Sequence, residues 1–451
     1  MNVKIIFWNF CFEEDITLHR KLKNALKKYN IDSEFAIWLK KNSLPNRLWD
    51  INHLLKFQKY LDFFEKKFFK RIYEDNLEIY LNSIHSRRQW QKMTHFDLTQ
   101  IYRLQILAMY FYIKKNKFTH YVSTIQNSQG FDSVFYKMVK KMNIKTLIFH
   151  SNFRNKTLYT ETIEDWGLFK KSKSIFKGFS KDITKSINYH YETKNLYLKH
   201  RFNFKIFFFN PIKIFNYKYL YTKITNFKYN YNFYQFAMKE KSRVYYSKNL
   251  PKYYLYFPIH FQPEATTIGP ANQYIDQAKI IEKISLKMPK KFKLIVKEHP
   301  AQNDLYHRSD FFYKRINNLK NVLFTNVNDD NDKLIKKCNA LIAITGTAGF
   351  EALKSKTKVI TFGKAWYNPL VYVYKWHTKI NLDKIDKIKF NSKKFIQSFY
   401  KLSKKMADCV DSLDWARAAD LTSDFKKIPY NEKIEIKKTA SIINTLIKKH
   451  Y

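Results

Sequence analysis

Apolar and polar positions in the first third of the chain alternate in a way that is typical of a parallel α/β sheet. The runs VKIIFW at 3–8, HYVSTI at 120–125 and TLIFHS at 146–151 predict strands. A helical pattern over 132–142 separates the last two. Strand, helix and strand in this order form a βαβ unit, which favours parallel pairing. We therefore predict a first α/β domain over residues 1–165.

Residues 251–390 show the clearest alternation of strands and helices. In one helical stretch, the apolar residues Ile275, Ala278, Ile281 and Ile284 recur at helical spacing. Single helices between successive strands indicate a doubly wound, Rossmann-like domain. Strands are expected at 253–260, 292–300, 322–326, 340–345 and 358–363, and helices at 274–287, 308–318, 331–338 and from about 348 onward.

The stretch between these domains, residues 166–250, has a different character. No acidic residue occurs from Thr193 to Lys239, and Phe and Tyr are mixed with Lys without a lasting period. Three interpretations stay open: a connector whose aromatic residues pack on both domains, a surface that lies on an anionic membrane, or a stacking surface for single-stranded nucleic acid. Residues 391–451 are basic and helical in pattern and predict a tail that packs back across the domains.

Charge adds a class of partner to this picture. The chain has 83 Lys and Arg against 38 Asp and Glu, which gives a net charge of +45. Such a field attracts nucleotides, anionic lipid, acidic glycans or nucleic acid. The same excess arises from AT-rich codons, which also favour Asn, Ile, Tyr and Phe. No nucleic-acid-binding motif occurs and the basic residues are spread along the chain, so nucleic acid is the less favoured partner.

Cysteine usage and the N-terminus bear on the compartment. The three cysteines Cys11, Cys338 and Cys409 form no CxxC pair, which predicts neither a disulfide framework nor a structural zinc site. The N-terminal apolar run is short and is followed by acidic residues, as in a first strand rather than a signal peptide. No uncharged apolar run approaches the roughly 18 residues of a spanning helix. We expect a cytoplasmic protein, soluble or peripheral at the inner face of the cytoplasmic membrane.

The segment ALIAITGTAGFEA at 340–352 is the most informative for chemistry. A buried strand delivers Thr345, Gly346, Thr347, Ala348 and Gly349 to its carboxyl end, and a helix follows. Small residues there allow backbone N–H groups to approach a phosphate, and the start of a helix adds a favourable field. Glu351, in the first turn, is placed to accept from ribose hydroxyls. A tight βα turn with a favourable Glu is the plain structural alternative.

Two further segments follow strands of the same predicted sheet. KEHP at 297–300 places Lys297 and His299 at the end of a strand, where ligands bind in open α/β sheets. FPIHFQPEATT at 257–267 carries His260, Gln262 and Glu264 just past another strand. We expect these polar side chains to converge on a cleft, although a polar hinge would also account for the second segment.

FPIHFQPEATT, KEHP and TGTAGFEA followed by FGKAWY resemble, in this order and spacing, the bacterial capsule polysaccharide biosynthesis family, which includes transferases of Kdo (3-deoxy-manno-octulosonic acid) from a CMP-linked donor. The resemblance covers about residues 250–370. It implies a GT-B glycosyltransferase, in which two Rossmann-like domains face a cleft. A nucleotide-sugar would bind in the domain 251–390, and it would be CMP-linked if the donor is that of the Kdo transferases. The resemblance implies no obligatory metal and no cofactor. His299 would then contact donor phosphate, and the Thr345–Gly349 turn with Glu351 would hold phosphate and ribose.

This resemblance assigns the acceptor, a glycan or glycolipid, to the domain 1–165, and a general base to that domain or the edge of the cleft. Glu264 and Asp132 are the candidates, although Asp132 also suits a helix N-cap. The acidic group Asp329, Asp330 and Asp332 precedes a helix and indicates capping rather than a metal site. A sugar-nucleotide epimerase of the same fold and a basic nucleic-acid-binding protein remain the alternatives.

Overall fold

The computed structural model describes the greater part of both predicted domains. The described residues are 3–8, 16–36, 43–85, 93–124, 130–153, 156–170, 249–262, 267, 271, 274–299, 302, 308–327, 329–407 and 431–449. They belong to two compact units, one built on each of two six-stranded sheets. The described residues up to 170, Thr267 and those from 399 onward form the first unit, and the rest form the second.

The first sheet is parallel in its centre and antiparallel at one edge. Its spatial order is β12-β5-β4-β3-β1-β2, and the four strands β4, β3, β1 and β2 pair in parallel. The edge strands β5 and β12 pair antiparallel. The strands are β1 Val3–Trp8, β2 Ile31–Ala36, β3 His120–Thr124, β4 Lys145–Phe153, β5 Lys156–Thr160 and β12 Met406–Ala407.

Helices cover this sheet and bury its apolar side chains. The final helix packs on the first one, and its Ile436, Ile443 and Ile447 join a core with Leu18 and Leu22. The predicted tail therefore contributes to the core of the first unit. The helices are α1 Ile16–Lys27, α2 Leu44–Arg47, α3 Ile51–Leu55, α4 Lys67–His85, α5 His95–Asn116, α6 Gly130–Lys141 and α13 Glu432–Lys448, with 3-10 helices at Gln58–Glu65 and Ile163–Asp165.

The second sheet is parallel throughout, in the order β11-β10-β9-β6-β7-β8. This is the order of a doubly wound dinucleotide-binding fold, in which the chain starts in the middle, runs to one edge and returns to build the other half. The strands are β6 Tyr254–Pro258, β7 Lys293–Lys297, β8 Val322–Phe324, β9 Ala340–Ala343, β10 Lys358–Thr361 and β11 Val373–Lys375.

One face of the second sheet packs against the amphipathic helix that follows β6. Leu255 and Phe257 of β6 and Leu294 of β7 share a core with Ile280 and Ile284 of that helix, as the alternation of side chains along a strand requires. The helices of this unit are α7 Gln277–Lys287, α8 Asp310–Asn317, α9 Asn331–Lys337, α10 Ala348–Lys354, α11 Leu382–Lys387 and the part of α12 Ser392–Ser403 that precedes residue 399.

The α/β class with two Rossmann-like sheets is confirmed, and each predicted strand is present. β1 has the predicted bounds, β4 is longer than predicted, and the other six strands are slightly shorter. Four strands were not predicted: β2, β5, β11 and β12. That the two domains face a cleft stays a prediction, as do the predicted domain boundaries. Of the basic aromatic stretch 166–250, only 166–170 and 249–250 belong to the described residues.

Candidate functional site

The three polar segments predicted from the sequence follow three neighbouring strands of the second sheet. Strands β9, β6 and β7 lie side by side, and all of them are parallel. The chain order reverses between β6 and β9. In open α/β sheets, ligands bind outside the carboxyl ends of the strands at this switch point. His260 follows β6, His299 follows β7 and the Thr345–Gly349 turn follows β9, so the sheet brings them to one edge.

Two glycines of the turn allow close approach of other elements. A Cβ atom on Gly346 would lie 2.6 Å from Cε1 of His260, and one on Gly349 would overlap the hydroxyl of Tyr367. That hydroxyl donates a hydrogen bond of 2.6 Å to the carbonyl oxygen of Gly346. Burial raises the pKa of Tyr367, and the charge of Glu351 adds to this shift. The turn is thus held between the loop after β6 and the segment after β10.

Backbone donors of this turn remain available. Within the described part of the chain, no acceptor is found for the N–H groups of Gly346, Thr347 and Ala348. Thr347, the N-cap of α10, makes no side-chain capping bond and is exposed. Consecutive unpaired N–H groups form a concave seat that suits an anion.

His260 is held in one orientation by its neighbours. Its Nε2 atom accepts a hydrogen bond of 3.3 Å from the N–H of Ile344. Its backbone N–H donates to Oε1 of Gln277 at 2.8 Å, and its carbonyl accepts from Nε2 of Gln277 at 2.9 Å. Burial lowers the pKa of His260 to about 3, with smaller contributions from His299 and Arg308. The ring is therefore neutral, and since Nε2 accepts, the proton is on Nδ1.

A buried ion pair, which the sequence did not reveal, supports both histidine loops. Nε of Arg308 donates to Oε2 of Glu298 at 2.8 Å, and both side chains are about 95% buried, with 5% and 4% of their surface exposed. Nη2 of Arg308 also donates to the carbonyl of His260 at 2.8 Å. Glu298 in turn accepts from the N–H of His299 at 2.8 Å. One guanidinium group thus links the loops that follow β6 and β7.

Gln262 and His299 lie in the same frame. The backbone of Gln262 exchanges two hydrogen bonds with the Gln302 side chain, at 2.8 and 2.9 Å. Its own side chain donates to the carbonyl of Ile275 and accepts from Arg308. The ring of His299 is half-buried, with its centroid 5.7 Å from that of Phe261. Gln262 therefore positions the loop, whereas His299 follows β7 at the edge of the sheet.

Lys297 is engaged by a different loop. Its ammonium group donates to the carbonyl of Asp329 and, at 3.0 Å, to Oδ1 of Asn331. Burial lowers the pKa of Lys297, an effect that the charges of Asp329 and Asp330 partly offset. These bonds hold β7 to the start of α9. A contact between Lys297 and donor phosphate stays a prediction, and it would require these bonds to break.

The three acidic candidates have different settings. Glu351 is buried in α10, and its charge contributes to the raised pKa of the Tyr256 and Tyr367 hydroxyls. Asp132 lies in the first turn of α6 in the first unit, has no exposed surface and accepts a hydrogen bond of 2.8 Å from the Trp8 indole. Glu264 lies outside the described residues.

The acidic group before α9 caps that helix, as its position in the sequence indicates. Asp330 is the N-cap and accepts from the N–H of Asp332 at 2.8 Å, while Asp329 accepts from the N–H of Asn326 at 3.0 Å. Among the residues that the structure describes, no group of three His, Cys, Asp or Glu side chains could hold a metal ion. Likewise, no described helix is long and apolar enough to cross a bilayer.

Comparison with known proteins finds one family model that matches the middle part of the chain. Residues 172–379 match the family model described as capsule polysaccharide biosynthesis protein. No curated protein matches the chain in sequence. The resemblance found in the sequence motifs is therefore confirmed by the family model over a range that includes all three motifs.

Similar solved structures are distant. The KpsC β-Kdo 2,4 transferase of Thermosulfurimonas dismutans is 8% identical over 63% of this chain and 79% of its own, with a TM-score of 0.33. The UDP-GlcNAc 2-epimerase of Methanocaldococcus jannaschii is 13% identical over 90% and 98%, with a TM-score of 0.25. The spinosyn rhamnosyltransferase SpnG is 6% identical over 99% and 100%, also with a TM-score of 0.25. Likenesses at this level do not separate a transferase from an epimerase.

Proposed function

We propose that this chain, whose residues 172–379 match the capsule polysaccharide biosynthesis family, is a glycosyltransferase that transfers a sugar from a nucleotide-sugar donor to a glycan or glycolipid acceptor. The donor to test first is CMP-Kdo, because the sequence motifs resemble those of Kdo transferases. No cofactor other than the donor is proposed.

One observation carries this proposal: the polar segments of the family motifs follow β9, β6 and β7, on both sides of the switch point of the second sheet. A nucleotide bound there would meet the N–H groups of Gly346, Thr347 and Ala348, for which the described residues offer no acceptor. His299 would donate to a phosphate oxygen from the next loop. Donors that face a departing phosphate stabilise the charge that develops as the glycosidic bond breaks.

Glu351 and Glu264 complete the proposed site. Glu351 would accept hydrogen bonds from the ribose hydroxyls, which calls for a shift of its buried side chain toward the sheet edge. Glu264 is the first candidate for the general base that activates the acceptor hydroxyl. Asp132 is the second, because it must first give up its bond to Trp8 and its buried position. The role of each candidate base can be tested by replacing its carboxylate with the corresponding amide.

The experiment that tests the proposal is a thermal-shift screen with CMP-, UDP- and GDP-linked sugars, followed by donor consumption with and without an acceptor extract. A ligand that binds the native state raises the melting temperature by mass action. A transferase consumes its donor for transfer only when acceptor is present, whereas an epimerase converts the nucleotide sugar alone. Conversion without acceptor would replace the proposal with the epimerase. Transfer should survive chelation of divalent metals, since the family resemblance implies no obligatory metal.

The acceptor bears on where the protein works. A glycolipid acceptor is embedded in a bilayer, so we place the protein at the inner face of the cytoplasmic membrane as a peripheral protein. The net charge of +45 suits anionic lipid.

A further inference from the structure

Residues 51–70 of the first unit expose apolar side chains at the surface. Ile51 and Leu55 are 41% and 48% exposed, and they lie four residues apart on α3, hence on one side of that helix. The 3-10 helix that follows, Gln58–Glu65, contains no buried residue at all. The apolar residues of this 3-10 helix are half-buried, so part of their surface faces solvent.

Aromatic rings attach this segment to the carboxyl-terminal end of α5. The ring of Tyr60 lies 4.5 Å from that of Phe111, and Phe63 lies 5.7 Å from Phe111 and 6.4 Å from Tyr110. All four rings are half-buried. They form one continuous aromatic layer rather than single exposed residues. A continuous, partly exposed apolar layer indicates an interaction surface, whereas scattered apolar residues do not.

Lysine side chains cover the faces of these rings. The ammonium nitrogen of Lys66 lies 4.1 Å from the centre of the Phe63 ring, that of Lys59 lies 5.2 Å from Tyr60, and that of Lys114 lies 5.9 Å from Tyr110. Between residues 51 and 70 there are five lysines, all exposed, against only two acidic residues, Asp62 and Glu65. The local field is therefore positive.

Basic neighbours in this segment also act on His53. Burial lowers the pKa of His53, and the charges of Arg47 and Lys56 lower it further against the opposing charge of Asp50.

We propose that an aromatic–lysine surface, formed by Ile51, Leu55, Tyr60, Phe63 and the lysines 56, 59, 66, 67 and 70, docks on an anionic lipid bilayer. Aromatic rings are favoured at the level of the lipid headgroups, and apolar side chains enter the acyl boundary. Each lysine beside them binds the anionic surface. This docking does not depend on which nucleotide sugar the second unit binds.

Nucleic acid fits this surface less well. Base stacking requires a free aromatic face. Here the rings pack against one another, and lysines already lie over Tyr60, Phe63 and Tyr110. Binding to a bilayer does not require a free ring face, since the lipid contacts the exposed edges of the rings together with the aliphatic residues.

The charge of the surface is tested by sedimentation of the full chain with phosphatidylcholine vesicles that contain or lack phosphatidylserine. The test variant combines Lys59→Gln, Lys66→Gln, Lys67→Gln and Lys70→Gln. The control variant removes the same charge from exposed positions of the second unit: Lys287→Gln, Lys290→Gln, Lys333→Gln and Lys336→Gln. Since one lysine near an anionic surface contributes about fivefold, we expect the four substitutions to weaken binding to phosphatidylserine vesicles on the order of 600-fold and the control to bind like wild type.

The apolar part is tested in the same assay. Ile51→Ser with Leu55→Ser should weaken binding about tenfold, whereas Leu286→Ser with Phe311→Ser, exposed residues of the second unit, should not. Equal loss in test and control variants, or no vesicle binding by wild type, would overturn the proposal. A test variant that loses affinity for a polyuridylate strand but keeps vesicle binding would assign the surface to nucleic acid instead. Thermal unfolding of each variant confirms that the exposed substitutions leave the fold intact.

Discussion

The N–H of Ile344, just past β9, donates a hydrogen bond to Nε2 of His260, just past β6. These are the two strands between which the chain order of the second sheet reverses. This bond joins the loops that follow β6 and β9 at the switch point. Because Nε2 accepts it, the proton of the imidazole is on Nδ1. No hydrogen-bond partner of Nδ1 is found among the described residues. A neutral donor of fixed orientation therefore lies next to Gly346, at the proposed phosphate seat.

Two substitutions of His260 distinguish the role of the bond between Ile344 and Nε2 from the role of the Nδ1 donor. His260→Gln can keep an acceptor near the position of Nε2, and His260→Asn can keep a donor near that of Nδ1. We expect His260→Asn to lose about 1 kcal/mol of stability, because the Ile344 N–H loses its acceptor. His260→Gln should keep stability and lose nucleotide affinity. Denaturant unfolding and calorimetric titration with CMP measure the two effects, and full CMP affinity in His260→Gln would contradict the assigned role of Nδ1.

The low pKa of His260 predicts a dependence of stability on pH. Its pKa in the folded chain is about 3, below the ordinary 6.5, so the unfolded chain binds the proton more tightly. The contribution of the neutral ring is fully present above about 6.5 and is lost as the pH falls toward 3. Since His260→Gln lacks the titrating ring and matches wild type at neutral pH, wild type should become less stable than His260→Gln on acidification. A difference that stays constant from about pH 7 to about pH 4 would show that the ring is not buried in its neutral form.

The contact between Gly349 and Tyr367 predicts a rescue. Gly349→Ala places a methyl group against the Tyr367 hydroxyl, so it should cost about 1–3 kcal/mol of stability. Tyr367→Phe alone should cost about 1 kcal/mol, because the Gly346 carbonyl loses its donor. The double variant should cost less than the sum, since the hydroxyl is the group that the methyl meets first. Strict additivity in denaturant unfolding would mean that the two positions do not touch.

The sequence predicts the sheets well where strands are buried on both faces. VKIIFW, FKLIV and ALIAIT consist mostly of apolar residues and are each followed by a helix, so both their type and their parallel pairing can be inferred. β2 has the sequence IDSEFA, whose polar residues do not predict a strand. Its strand structure is defined by its parallel pairing with β1. β11 and β12 are three and two residues long, and only their partners in the sheet define them.

The site is predictable at the level of segments but not of individual side chains. The end of a parallel strand identifies the loop that meets a ligand, and KEHP and TGTAG were found in this way. It does not say which side chain of the loop turns inward. Lys297 and Glu298 are adjacent charged residues, and each forms hydrogen bonds within the protein. Arg308, which joins two loops, carries no local signal, because its partners come from distant parts of the chain.

The basic aromatic stretch 193–239 lies outside the described residues, and its proposed contact with lipid stays a separate prediction. Lys213→Gln, Lys218→Gln, Lys223→Gln and Lys228→Gln together should weaken binding to phosphatidylserine vesicles, since each lysine near the surface contributes about 1 kcal/mol. Vesicle sedimentation measures the effect, with phosphatidylcholine vesicles as the uncharged reference. Unchanged binding would indicate that this stretch is a connector and not a lipid-binding surface.

The measurement that tests the donor site most directly is the steady-state transfer rate of His299→Ala, beside nucleotide binding by Glu351→Gln. His299→Ala removes a donor to the departing phosphate, a loss that costs about 100- to 1,000-fold in turnover at comparable sites. Glu351→Gln should mainly weaken nucleotide binding, because a charge-assisted acceptor is lost. The control is His377→Ala, an exposed histidine of the same unit, which should behave like wild type. A fall in turnover in His299→Ala but not in His377→Ala supports the account. Near-normal turnover in a folded His299→Ala protein would contradict it.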